Sequence, residues 1–177
     1  MEIKKIKIKG SFIINVKRFG DSRGFFSRIF CKKEFKKYNI SNEISQVNCS
    51  YSKKKGTIRG MHYQIKPHRE MKVIMCTRGT IFDVVLDLRK NSKTYKKWFG
   101  IKLDSKEKNM LVVPEGCAHG FQTLQKDCEI IYLVSKAYNP KSERGVRWND
   151  SNFKIKWPLK PTEISKKDLS WNDYDYS

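Results

Sequence analysis

The sequence is poor in the residues that build metal centres and disulfide frameworks. Its 177 residues include three histidines and five cysteines. The cysteine count is odd, and no two of Cys31, Cys49, Cys76, Cys117 and Cys128 stand in a C-x-x-C or comparable ligand spacing. That pattern argues against a disulfide scaffold and against a zinc site. Cys49, Cys76 and Cys128 lie in or beside apolar runs and read as small buried residues in a reducing compartment. Also missing is any run near the roughly 18 consecutive apolar residues that a membrane-spanning helix needs. The opening Met1-Glu2-Ile3-Lys4-Lys5 is not followed by an apolar signal segment. The expectation is a cytoplasmic protein that makes no use of a membrane. No internal repeat, low-complexity linker or shift of composition divides the chain, so residues 1–177 read as one domain.

Acidic residues are scarce, 18 against 38 basic ones, for a net charge of +20 and a pI near 9.8. Such a balance brings nucleic acid to mind, but its make-up argues otherwise. Nine of the basic residues are Arg and 29 are Lys, whereas base-edge and bidentate phosphate recognition favours the planar Arg fork. The lysines are scattered in short clusters such as Lys4-Lys5, Lys36-Lys37 and Lys96-Lys97 and form no single basic arm. The excess reads as a surface bias around a site for an anionic small substrate, with no nucleic-acid partner.

What the sequence does have is a core and a period. At 38% hydrophobic and 12% aromatic the chain can bury a real interior. The dominant period is two, which predicts strands over 5–9, 11–19, 25–30, 46–52, 57–64, 72–77, 80–88, 98–103, 110–113, 119–123, 129–135, 145–148 and 153–157. Only 32–38 and 165–169 have a helical pattern, and both are short. Turn signals such as Lys55-Gly56, Arg78-Gly79 and Asn139-Pro140 recur between the strands. The expectation is an all-β jelly-roll barrel with short peripheral helices.

Three strand segments concentrate unusual residues. Gly56-Thr57-Ile58-Arg59-Gly60-Met61-His62-Tyr63-Gln64 would put Ile58, Gly60, His62 and Gln64 on one face by alternation. For Arg59 and His62 both to face the interior, a bulge is needed, and Gly60 is where it would form. In Glu129-Ile130-Ile131-Tyr132-Leu133-Val134-Ser135, Tyr132 shares a face with Ile130 and Val134. Pro114-Glu115-Gly116-Cys117-Ala118-His119-Gly120-Phe121 has the P-x-G-x-x-H spacing of the second cupin half-motif, a turn that delivers a histidine to a barrel mouth. A metal-dependent cupin oxygenase or isomerase would need His62, His68 and Glu70 as partners, and their spacings do not match the first half-motif. The other chemistry open to such a barrel is metal-free: a neutral imidazole (His62) removes a proton beside a carbonyl and a phenol (Tyr132) returns one from the opposite side. A cation such as Lys72 would hold the enolate oxygen formed between the two steps. A lone strand histidine or tyrosine is most often structural, so the pairing carries the reading. Asp83, inside an apolar strand, would be costly to bury without a partner, and Asp83 and Asp168 are the candidates to fix the histidine tautomers.

Taken in order, Gly20-Asp21-Ser22-Arg23-Gly24-Phe25-Phe26, Gln46-Val47-Asn48, Arg59-Gly60-Met61-His62-Tyr63-Gln64, Val113-Pro114-Glu115-Gly116-Cys117-Ala118-His119-Gly120-Phe121 and Glu143-Arg144-Gly145-Val146-Arg147-Trp148-Asn149-Asp150 resemble the dTDP-4-dehydrorhamnose 3,5-epimerases. The resemblance implies a jelly-roll homodimer without metal or cofactor, acting on a nucleoside-diphosphate 4-keto-6-deoxy sugar in deoxysugar and surface-polysaccharide biosynthesis. Residues 1–30 would exchange strands across the dimer and 159–177 would form a peripheral C-terminal segment. It makes His62 the base, Tyr132 the acid, Asp168 the partner of His62 and Asp83 the partner of His119. It places Lys72 and Arg59 near the sugar and its carbonyl, His119 in the substrate pocket, Arg23, Gln46, Asn48 and Glu143 elsewhere on the substrate, and Tyr138 on the nucleobase. Arg28 departs from the pattern, since the family commonly has a glutamate there that reaches the nucleotide from the neighbouring subunit. That reversal, with the turn Pro67-His68-Arg69-Glu70, leaves GDP- or CDP-linked sugars and inversion at carbon 3 or 5 alone open.

Overall fold

The computed structural model describes residues 1–40 and 43–174. Its strands are β1 (Glu2–Lys5), β2 (Phe12–Asn15), β3 (Arg18–Asp21), β4 (Gly24–Ser27), β5 (Gln46–Ser52), β6 (Thr57–Gln64), β7 (Lys72–Arg78), β8 (Thr80–Asp87), β9 (Trp98–Asp104), β10 (Asn109–Val113), β11 (Cys117–Thr123), β12 (Cys128–Val134), β13 (Glu143–Gly145) and β14 (Glu163–Ile164). Two short helices, α1 (Lys32–Lys37) and α2 (Lys166–Leu169), complete the chain. One six-stranded sheet runs β1-β2-β10-β7-β12-β5. The second runs β13-β6-β11-β8-β9, with β14 alongside β6.

Alternation along these strands sorts the apolar residues into three layers. Ile74, Cys76, Leu111, Val113 and Ile130 from the first sheet meet Ile81, Val85, Leu103, Cys117 and Phe121 from the second in the interior of the barrel. The other face of the first sheet carries Val73, Met75, Met110 and Leu133, covered by Phe35 of α1 and by Ile40. The other face of the second carries Met61, Val84, Leu86 and Ala118, covered by Phe153 and Val146. The polar residues that share the interior face, Lys72 on β7 and Asp83 on β8, therefore stand among core residues.

The observed strands from 46 to 134 match the periodicity to within about two residues, and the termini differ. Of residues 5–9 only Lys5 belongs to a strand, the end of β1, despite strict alternation. Ser11 N–H donates to Ile8 O (3.0 Å) and Gly10 takes φ +81°, so the segment turns β1 back onto β2 while still burying Ile8. The 11–19 strand is interrupted after Asn15, and β3 leaves the sheet to pair only with β4. Residues 145–148 yield a strand at 143–145 instead, and 153–157 is irregular: Phe153 and Trp157 pack on the outer apolar layer, and Trp98 Nε1 donates to Phe153 O. β14 carries too short a pattern to register in the sequence. All five cysteines are free, but Cys49 is exposed, on the outward face of the edge strand β5, contrary to its reading as buried. Of the acidic aromatic ending, Tyr174 is fastened by its N–H to Asp150 Oδ2 (2.6 Å) and by its ring to Phe153, whereas Asp175 and Tyr176 lie outside the described residues.

Candidate active site

β6 and β11 pair with His62 opposite His119 and Arg59 opposite Phe121, so β6 has one residue more than β11 between these positions. This is the bulge expected at Gly60. The two backbones are so close there that a Cβ on Gly60 would stand 2.5 Å from Gly120 Cα, and only glycine fits. The irregularity turns both Arg59 and His62 into one cavity of about 590 Å³, which Lys72, His119, Tyr132 and Asp168 also line. A second cavity of about 340 Å³ is lined by Gln46, Asn48, Tyr138 and Glu143. His62, Lys72 and Tyr132 line both, so the two cavities adjoin at these three side chains.

The inner face of the first sheet explains the polar lining. Tyr132 lies opposite Asn48 on β5 and opposite Ile74 on β7, and Val134 lies between Gln46 and Lys72. Burial pushes the Tyr132 phenol above its usual range, against a smaller opposing effect of the Arg59 charge. Arg59 is itself held by Tyr51 O (2.8 Å) and Ser52 Oγ (3.1 Å).

Each barrel histidine has a carboxylate on its Nε2. His62 Nε2 is 2.6 Å from Asp168 Oδ1, and His119 Nε2 is 2.7 Å from Asp83 Oδ1. Asp168 comes from α2, fixed by the Ser165 hydroxyl capping its own N–H (3.0 Å), and its Oδ2 accepts from Gly60 N–H (3.2 Å). Burial alone would raise the Asp168 carboxyl, but the hydrogen bond and charge of His62, with Gly60 and Ser165, hold it below the usual range. Asp83 is the opposite case: complete burial raises it, and the His119 contact offsets only part of that. An Asp on Nε2 places the ring proton there and leaves Nδ1 of His62 as the basic nitrogen.

Two groupings went unnoticed in the sequence. Lys167 Nζ donates to Glu143 Oε2 (2.5 Å), which also accepts from the Tyr138 hydroxyl (2.6 Å). Burial raises the Glu143 carboxyl, and Lys167 and Tyr138 more than reverse this. Glu143 is thus engaged within the protein. Trp171 lies edge-on to the His62 ring, centroids 6.4 Å apart, over Gly145. Trp171 stands in no periodic pattern, and the short helical pattern over 165–169 does not mark Lys167 as a site residue. Lys167 is signalled only by adjacency to Asp168.

Arg23 and Arg28 line neither cavity. Arg23 sits on the β3–β4 hairpin, paired with Asp21 (2.6 Å), and Arg28 is an exposed residue beyond β4. His68 is also remote, bonded to Ser142 Oγ (2.9 Å) and Asn139 Nδ2 (3.3 Å), and Glu70 pairs with Lys72. Among the described residues no three His, Cys, Asp or Glu side chains gather as metal ligands.

A protein-family model described as dTDP-4-dehydrorhamnose 3,5-epimerase matches residues 5–175. The chain belongs to that family. It is an isomerase with the family's cupin-like, strand-rich architecture. The chain is 38% identical over 180 residues to the dTDP-4-dehydrorhamnose 3,5-epimerase of Shigella flexneri, covering 99% of each chain. The crystal structure of the dTDP-4-dehydrorhamnose 3,5-epimerase of Bacillus anthracis with TDP and PPi bound superposes with a TM-score of 0.94. It is 36% identical, with 98% of this chain and 99% of that one covered. A Legionella pneumophila dTDP-6-deoxy-D-glucose-3,5-epimerase in complex with dTDP-4-keto-L-rhamnose gives a TM-score of 0.92 at 33% identity, with 97% and 92% covered.

Proposed function

We propose that this family member inverts carbon 3, carbon 5 or both of a dTDP-4-keto-6-deoxy sugar, and that His62, Tyr132 and Lys72 carry the chemistry. The observation that carries this reading is the His62–Asp168 pair in a cavity shared with the Tyr132 phenol and the Lys72 ammonium. Carbons 3 and 5 both flank the ketone, so one carbonyl acidifies both protons. His62 Nδ1 takes the proton, and the C–H electron pair moves into the ring bond as the carbonyl oxygen becomes an enolate held by Lys72 N–H. The Tyr132 hydroxyl then protonates carbon from the opposite face as the enolate returns to the ketone, after which His62 releases its proton to solvent and the Tyr132 phenolate takes one up. The sugar's oxidation state does not change, so the step requires no redox cofactor.

Arg59 and His119 would bind beside the sugar, and Gln46, Asn48 and Tyr138 toward the nucleoside. Glu143 would serve by setting Tyr138. The β3–β4 hairpin supports assembly as a homodimer that exchanges 1–30. It pairs with no other described strand of its own chain and exposes Phe19, Phe25 and Phe26 by 53%, 54% and 60%. Arg23 and Arg28 would then serve the partner's nucleotide site. Such a dimer would work in the cytoplasm, and no described helix is long and apolar enough to cross a membrane.

The test is incubation of the purified protein with dTDP-4-keto-6-deoxyglucose in heavy water. Deuterium at carbon 3, carbon 5 or both, lost in His62→Ala, is expected. Exchange that persists in His62→Ala would overturn the assignment.

A further inference from the structure

Lys72 is the cation assigned to the enolate, and that role requires its ammonium to be aimed. A lysine side chain has four rotatable carbon–carbon bonds and a point charge at its end, so an unrestrained ammonium would sample much of a cavity this size. The structure restrains it from a residue outside the cavity's catalytic set. Glu70 lies two residues before Lys72, the first residue of β7, and their ion pair brings the two side chains together, while Met71 between them is buried in the outer apolar layer. Glu70 Oε1 lies 3.1 Å from Lys72 Nζ, and both side chains are largely buried.

The other oxygen is fixed as well. Glu70 Oε2 accepts from Gln64 Nε2, and the same amide nitrogen donates to His68 O (2.9 Å). Gln64 Oε1 accepts from Asn139 N–H (2.7 Å). A carboxylate only accepts and a backbone N–H only donates, so the orientation of the Gln64 amide is forced from both ends. The chain of bonds runs from Lys72 through Glu70 and Gln64 to Asn139. Its neighbour Tyr138 donates its own N–H to Gln46 Oε1 (2.8 Å). Among the described residues Nζ has one further contact, a long one to His62 O (3.5 Å), which leaves one of its three ammonium N–H groups for a ligand.

We infer that Glu70 is a positioning residue for this reaction: it holds the Lys72 ammonium at the enolate oxygen through a buried ion pair braced by Gln64. The inference rests on the reading of Lys72 given above. It predicts a loss in turnover and not in binding, because an interaction made with developing negative charge is realised in the transition state.

The experiment compares wild type with Glu70→Met, Glu70→Gln, Lys72→Met and the Glu70→Met/Lys72→Met double variant on dTDP-4-keto-6-deoxyglucose. Glu70→Met should lower kcat by about 10- to 100-fold with KM within about threefold of wild type. Glu70→Gln, with one acceptor oxygen for two donors, should lose less. In the Lys72→Met background, Glu70→Met should cost less than about twofold more, the non-additivity of a residue that acts through another. A Glu70→Met enzyme with unchanged kcat, or one whose loss is equally large without Lys72, would overturn the inference while leaving the role of Lys72 intact. A fully active Lys72→Met enzyme would overturn both. Should Glu70→Met fail to fold, Glu70→Asp, which keeps the charge and withdraws it by one methylene, must show the same kcat-selective loss.

Discussion

His62 and Asp168 are 106 residues apart in sequence, and their nitrogen and oxygen are 2.6 Å apart. The contact joins a central strand to a four-residue helix near the C-terminus, and three groups besides the histidine define it: Ser165 caps the helix, Gly60 N–H binds the second carboxylate oxygen, and β14 pairs in parallel with β6. The C-terminal segment is in this way a wall of the site.

Asp168→Asn should therefore keep the fold and lose the chemistry. An amide can present its N–H to Nε2 and favour the wrong tautomer, so kcat is expected to fall roughly 100-fold or more, with KM changed little. The pH dependence of stability supplies a second readout. The Asp168 carboxyl is depressed in the folded state, so its contribution is present above the unfolded value of about 3.9 and is lost as pH falls through the lower folded value. Thermal melts should show wild type losing more stability than Asp168→Asn on acidification through that window. Parallel melting curves would remove the ionic role given to Asp168.

Tyr132→Phe separates proton removal from proton return. The phenol of Tyr132 is raised by burial and is in its protonated form at neutral pH, as an acid must be. Phe preserves the ring packed against the interior apolar cluster and deletes the donor. Exchange of the substrate proton with solvent should continue while formation of the inverted product drops by about 100-fold or more. Mass and NMR spectra of the same reaction distinguish the two, and undiminished inversion would rule Tyr132 out as the acid.

The central strands were legible in the sequence because alternation of apolar and polar residues is imposed by a sheet that buries one face. Thr57 to Gln64 could be placed, with its bulge, from Gly60 and the odd separation of Arg59 and His62 alone. Asp83 could be expected to have a partner from the cost of burying it, though not which one. Alternation failed where no long sheet imposes it: Ile6 and Ile8 alternate in a turn, and Phe153 and Trp157 cap an outer face from irregular backbone. The Glu143–Lys167 and Glu70–Lys72 pairs were hidden for another reason. In a chain with 29 lysines, a functional lysine carries no compositional signal, and only the fold singles out which of them line a cavity.

Lys167 is one such lysine, and its removal should act on binding. With its Nζ on Glu143 Oε2 and the Tyr138 hydroxyl on the same oxygen, it holds the Tyr138 ring through Glu143. In Lys167→Met the carboxylate loses its cation and the tyrosine gains freedom. A rise in KM of about 3- to 10-fold with kcat within about threefold is expected. A fall in kcat at constant KM would place Lys167 with Asp168 in the chemistry instead.

Gly145 tests how closely the C-terminal segment must fit. It pairs with His62 across β13 and β6, and the Trp171 ring lies so near that a Cβ on residue 145 would stand 2.2 Å from Trp171 Cε2. Ring and strand cannot both stay in place, and Trp171 O is also tied to Arg147 Nε (3.1 Å). Gly145→Ala should destabilise the protein by about 1–3 kcal/mol, as overpacking of a closed contact does. It should also lower activity by displacing the ring that lies against His62. Adding Trp171→Ala opens the space the methyl group needs, so the double variant should melt closer to the Trp171→Ala single variant than Gly145→Ala does to wild type. That is a coupling readable from three melting temperatures and the wild-type value. Strict additivity of the two changes would mean that Trp171 does not press on Gly145, and that the indole is not what backs His62.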